Sequence, residues 1–191
     1  NWEEYELQLN KRLGIDNQLM RAIGNKARKE PKRVVFADAE NVKVLKAAQL
    51  ALEEGIAYPI LLGDEKNIRD MAEVNGVDLE GIPILDPKAK ELHEKRHEFG
   101  LQLFLKRQRK GLNRYEANKA MKERTHFGCM MVETGEADAM ISGLSRKYAD
   151  TIRPALQIIG KDDDVKKIAG MYIMLTKRGP LFLADATVNF N

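Results

Sequence analysis

Apolar residues recur along this chain in two rhythms. Trp2, Tyr5, Leu9 and Leu13 stand three to four residues apart, which is one helical face, and Gly14 fits as its stop. A second helix is predicted over residues 17–29, with Leu19, Met20, Ile23 and Ala27 inward and Pro31 beyond its end. The rhythm then changes. Residues 33–37, 58–62, 82–85 and 137–141 are short apolar runs bounded by charges, Gly or Pro, and read as buried strands. Between the first three lie helical stretches over 41–54 and 64–74, the second with Asp64 as N-cap. A long charged helix is predicted over 87–109, another over 113–122, and a third that Thr125 would cap. Residues 149–159 read as a helix with Pro154 near its first turn, a position proline tolerates. Residues 170–175 and 180–184 read as two strands joined by a tight turn at Lys177-Arg178-Gly179. Strands alternating with helices imply a parallel sheet with right-handed crossovers.

Composition narrows the class. The chain has 191 residues, 43% of them hydrophobic, enough for a sizeable core and against global disorder. The 32 Lys and Arg residues against 29 Asp and Glu give +3, and the interspersed signs argue against a nucleic-acid partner. No apolar run approaches the roughly 20 residues of a membrane helix, and the start has no signal-peptide pattern. Cys129 is the only cysteine, which excludes an intrachain disulfide and points to a reducing, cytoplasmic setting. The chain opens on Asn1 rather than Met, so excision from something longer is expected.

Candidate chemistry gathers at strand ends. Asp38 and Glu40 follow the first strand, at the edge where ligands bind in open α/β sheets, or they cap the next helix. His93 and His97 have a ligand-pair spacing, but Lys95 and Arg96 between them disfavour a metal. Cys129 has His126 three residues before it, although an apolar surrounding favours a buried, inert thiol. The richest stretch is 140–157. A strand ends at Ser142-Gly143, a loop with Ser145, Arg146 and Lys147 follows, and Asp150 and Thr151 would cap a helix carrying Arg153. Hydroxyls, cations and helix-start amides together suit an anion such as phosphate, and equally a surface loop before a capped helix. A basic cluster at 106–110 closes the long helix, where cations also oppose the helix dipole.

The block ADTIRPALQI at 149–158 resembles a segment of the phosphate acetyl- and butyryltransferase family. GCMMVETGEADAMISG (128–143), LFLADATVN (181–189), KRVVFADAE (32–40) and YPILLGDE (58–65) are similar to that family as well. The resemblance implies a three-layer αβα fold with a parallel-rich sheet, like that of isocitrate and isopropylmalate dehydrogenases, here with an N-terminal helical extension. It implies that Arg107 and Arg153 contribute to a phosphate and coenzyme A site, to which the loop adds Ser142, Gly143, Ser145, Arg146 and Thr151. The loop departs from the family's Ser-Gly-Ala-x-His pattern, with Arg146 in the histidine position, and the family's catalytic Ser-Arg and Asp belong to a later segment. No catalytic residue and no metal ligand is therefore assigned in this chain.

The lead-in over 2–38 resembles more closely the junction before the acetyltransferase-like half of large NADP-dependent malic enzymes. That likeness implies a helical linker over 1–31 and an acetyltransferase-like module over 32–191. It implies a regulatory or assembly role, acetyl-CoA as effector, homo-oligomers, and an oxidoreductase parent using NADP with Mg or Mn in a preceding domain. Cofactors would be absent from this fragment, which alone would be inactive. The alternative is part of an active phosphate acetyltransferase, converting acetyl-CoA and phosphate to acetyl phosphate and coenzyme A.

Overall fold

A computed structural model describes residues 2, 5, 19–162, 164–176 and 179–184. Residues 30–160 form one compact unit; residues 1–29 with 161–191 form another.

The larger unit is built on four parallel strands, β1 (Lys32–Phe36), β2 (Ala57–Leu62), β3 (Ile84–Leu85) and β4 (Ala139–Ile141), in the order β3-β2-β1-β4. Register runs from Lys32↔Ala57 to Phe36↔Leu61, and Val34↔Ala139 ties β1 to β4. With helix α1 described over 19–29, the unit's own helices are α2 (Val42–Glu53), α3 (Glu65–Val74), α4 (His93–Arg107), α5 (Arg114–Ala120), α6 (Arg124–Glu133) and α7 (Tyr148–Ile158).

Strand side chains alternate between the two faces of the sheet, and this pattern makes two cores. Phe36 and Leu61 pack with Leu45, Ala48 and Ile68 of α2 and α3. Val35 and Leu62 pack with Phe99, Leu103, Phe127 and Met130 of α4 and α6. The result is the expected αβα layering. Gly128 lets α6 lie close to the sheet: a Cβ there would stand 2.7 Å from Met140 Sδ and 3.1 Å from Val35 Cγ1. Because α2 returns the chain to one side of β1 and α4–α6 return it to the other, the crevice between the C-terminal ends of β1 and β4 is a topological switch point.

The structure corrects several sequence expectations. The long helix predicted over 87–109 is shorter. Arg96 is buried, and its guanidinium donates to the carbonyls of Pro87 (2.9 Å) and Ala89, which fixes the preceding residues as turns. The helix gives way at Gln108–Lys110 to a 3-10 turn that Gly111 ends with φ 90°. Within the basic cluster, Lys106 is structural: it pairs with Glu133 and donates to Ile158 O at 2.9 Å. Asn41, rather than Asp38 or Glu40, caps α2, accepting from Lys43 N at 2.9 Å. Thr125 does not cap α6, which starts from Glu123. Asp150 and Thr151 lie inside α7, which starts from Lys147, and Pro154 sits in that helix's interior.

In the other unit, β5 (Met171–Thr176) and β6 (Gly179–Ala184) form an antiparallel hairpin in register from Met171↔Ala184 to Thr176↔Gly179. Thr176 Oγ1 donates to Gly179 O at 2.8 Å across the turn. Turn residues 177 and 178 and most of the first predicted helix lie outside the described residues.

Candidate functional site

The ends of β1 and β4 are joined by a carboxylate. Asp38, 4% exposed, accepts from Gly143 N (2.8 Å), Leu144 N (3.2 Å), Ser142 Oγ (3.3 Å) and Ser145 Oγ. The donors read in sequence as an anion-binding loop thus hold an anion of the chain itself. Burial by itself raises the Asp38 pKa; the bonds from Ser145, Gly143, Leu144 and Ser142 outweigh it and leave the carboxyl below its usual range. The loop is fixed at the switch point, and Arg146 follows directly.

Arg146 donates to Glu123 Oε2 at 3.0 Å. This ion pair lines two cavities. One, of about 280 Å³, opens at the C-terminal ends of β1, β2 and β3, and includes Glu40, Gly63, Asp64, Asp86, Lys88, Lys122 and Arg124. Glu40 pairs with Arg124 at 3.0 Å and accepts from Asp64 N at 3.1 Å. Gly63 makes that approach possible, since a Cβ there would stand 3.1 Å from Glu40 Oε1. Lys88 and Lys122 face the same space and have no ion-pair partner among the described residues.

The second cavity, of about 240 Å³, is lined by Glu123, Thr125, His126, Arg146, Asp150, Arg153 and Pro154. Burial pushes the His126 pKa down; Glu123 opposes the change and Arg146 reinforces it, so the imidazole is held neutral near neutral pH.

Seven residues were proposed as ligand-binding from sequence. The structure brings Arg146 and Arg153 to one cavity and places Ser142, Gly143 and Ser145 on Asp38 beside it. Thr151 Oγ1 lies 3.4 Å from Lys147 O within its own helix. Arg107 lies elsewhere, in a cavity of about 200 Å³ with Lys110, Glu116 and Gln157. Sequence reasoning missed Lys88, Lys122 and Arg124, which come from segments distant in the chain, and gave Asp38 no partner. Cys129 is fully buried, and burial raises its thiol to about 12, too high for a nucleophile. Among the described residues no group of three His, Cys, Asp or Glu side chains is placed to hold a metal ion, and no helix is long and apolar enough to cross a membrane.

The chain is an α/β protein with a doubly wound parallel sheet and a charged cavity at the C-terminal ends of its strands, the edge at which sheets of this kind bind their ligands. The comparisons are more specific. The family model for phosphate acetyl/butaryl transferase matches residues 18–191, and the chain belongs to that family. It is 33% identical over 177 residues to the phosphate acetyltransferase of Thermoanaerobacterium thermosaccharolyticum, covering 90% of this chain and 52% of the relative. It is 36% identical over 168 residues to the phosphate acetyltransferase of Helicobacter pylori, covering 88% and 32%. The EutD phosphotransacetylase from Staphylococcus aureus superposes with a TM-score of 0.78 at 27% identity, over 91% of this chain and 52% of that one. The chain thus spans about half the length of these relatives or less. These matches correct the oxidoreductase expectation: over most of the chain the relatives are transferases, phosphate acetyltransferases, and not malic enzymes.

Proposed function

We propose that this chain supplies part of a phosphate acetyltransferase, a site for the phosphate-bearing groups in acyl exchange between coenzyme A and phosphate. Membership of the family across 18–191 carries the reading. The cavity chemistry supports it. Arg146, Lys88 and Lys122 border the space at the sheet edge, and Arg153 borders the space behind the Arg146–Glu123 pair. Arginine binds phosphate oxygens in pairs, and lysine adds point charge. Cations so placed bind the substrate phosphates and stabilise the negative charge that develops as phosphate attacks the thioester carbonyl. In the balanced reaction a phosphate oxygen forms the new bond to the acetyl carbon, and coenzyme A leaves as thiolate.

The test is acetyl phosphate formation from acetyl-CoA and inorganic phosphate by the full-length protein. Turnover is expected, with Arg146→Ala lowering kcat/KM by at least about tenfold, the scale of one lost charge-assisted contact. No turnover under conditions where the protein is folded would overturn the proposal.

A further inference from the structure

Four buried side-chain polar atoms lack a hydrogen-bond partner among the described residues. Three belong to consecutive residues in the first turn of α6: Arg124 Nη1, Thr125 Oγ1 and His126 Nδ1. Folded proteins satisfy such groups, so three orphans in one turn point to something that binds there. Arg124 Nη1 at least has Glu40 at 3.0 Å, an ion pair not aligned as a hydrogen bond.

The other two have nothing. A threonine within a helix ordinarily turns its hydroxyl to the carbonyl four residues earlier. For Thr125 that residue is Met121, ahead of the helix start, and the bond is not made. Thr125 is nevertheless 1% exposed. The helix start is also open. Its N-cap, Glu123, makes no side-chain bond to the turn because its carboxylate is given to Arg146. Phe127 is the residue whose N–H first returns to the backbone, to Glu123 O at 3.0 Å, so the amides before it are the helix's free donors.

Thr125 and His126 line the 240 Å³ cavity together with Arg153, which has no ion-pair partner among the described residues. We infer that the first turn of α6 is a binding site for a phosphate group, held by the Thr125 hydroxyl, the His126 imidazole and the first-turn amides, with Arg153 of α7 supplying the countercharge. A hydroxyl, an imidazole, helix-start amides and a guanidinium converge there, the mixture of donors and positive charge that suits the oxygens of a phosphate. Glu123 and Asp150 share the cavity, and Glu123 is already neutralised by Arg146 at 3.0 Å. This assignment rests on the phosphate-using function proposed above and adds α6, which the loop and helix over 142–153 do not contain.

The experiment titrates inorganic phosphate into the full-length protein, following the His126 imidazole by NMR and affinity by calorimetry. The His126 signals are expected to shift saturably. Thr125→Val is expected to weaken phosphate about tenfold and Thr125→Ser to stay within about twofold, as for one hydroxyl bond to a charged group. Without phosphate, Thr125→Val is expected to melt no lower than the parent, since it removes only an unpartnered buried hydroxyl. Arg153→Ala, a change at an exposed residue, is expected to weaken phosphate as well. Unmoved His126 signals, or parental phosphate affinity in both Thr125→Val and Arg153→Ala, would overturn the site. The acetyl phosphate assay separates the two proposals. Saturable binding lost in these variants without any acetyl transfer by the parent keeps the site and removes the transferase; transfer with an unchanged KM for phosphate in both variants does the reverse.

Discussion

At the start of α3, Asp64 Oδ1 accepts the N–H of Asn67 at 2.8 Å, and at the start of α5, Asn113 and Glu116 cap each other's backbone amides. Asn41 does the same service for α2. At the start of α6 the capping position holds Glu123, which turns instead to Arg146, and at the start of α7 it holds Lys147, whose side chain makes no bond to the turn. Helix α4 begins on Leu92, but there the His93 N–H is taken by Lys90 O at 3.0 Å from the preceding turn. The closed starts spend their donors on caps, and that of α3 does so although Asp64 and Asn67 border the larger cavity. The two open starts flank Arg146, Thr125 and Arg153, where donors spent on a cap would be unavailable to a ligand. At the proposed phosphate site, capping stability is left unclaimed.

The strongest challenge to this contrast is Asp38→Ala, which strips the anion from the loop leading into α7. Two hydroxyls and two amides would lose their acceptor, at a cost of about 3 kcal/mol measured by urea denaturation. A loss under about 1 kcal/mol would show that the loop holds Arg146 in place without it. Next come the closed starts. Asp64→Ala and Asn113→Ala should each cost about 1 kcal/mol with no effect on phosphate affinity through α6, the opposite pattern to Thr125→Val. Equal stability losses at closed and open starts would erase the distinction.

A smaller effect is expected from His126. Its folded pKa lies below the unfolded value, so below about pH 6.5 the unfolded chain takes up a proton that the native state resists. Stability contributed by His126 is therefore present at neutral pH and lost as pH falls through 6.5, and His126→Gln should flatten the denaturation midpoint between pH 7 and 5 by that share. The smallest lies far from the cavities. Hydrogen bonds from the Arg33 side chain, then from its backbone, hold the Asp138 carboxyl down at about 2. Its stabilisation is present above the ordinary carboxylate pKa of about 4 and fades toward pH 2. Asp138→Asn should lower the melting temperature slightly at pH 7, and the two proteins should converge near pH 2.

Much of the fold was legible. The apolar runs at 33–37 and 58–62 became β1 and β2 within a residue, and Asp64 capped α3 as its position indicated. These features depend on neighbours in the chain, which sequence displays. The long charged helix predicted over 87–109 is shorter because Arg96 turns inward to two carbonyls that sequence cannot pair with it. Within the candidate site, Arg146 and Arg153 were legible through the loop and its family resemblance. Thr125 and His126 carried a weaker signal, a threonine beside a predicted helix start, and it was read as a cap.

The sequence by itself determined the strand-and-helix order, the parallel sheet and the family, because burial periodicity, caps and motif spacing are local properties of the chain. Only the tertiary structure decided which charges meet. It brought Asp38 to donors more than a hundred residues away, parted Arg107 from Arg153, and left the first turn of α6 open beside Arg146. Those outcomes follow from where β1 and β4 lie side by side, and hydrogen bonds and ion pairs a few ångströms long depend on that placement rather than on position in the chain.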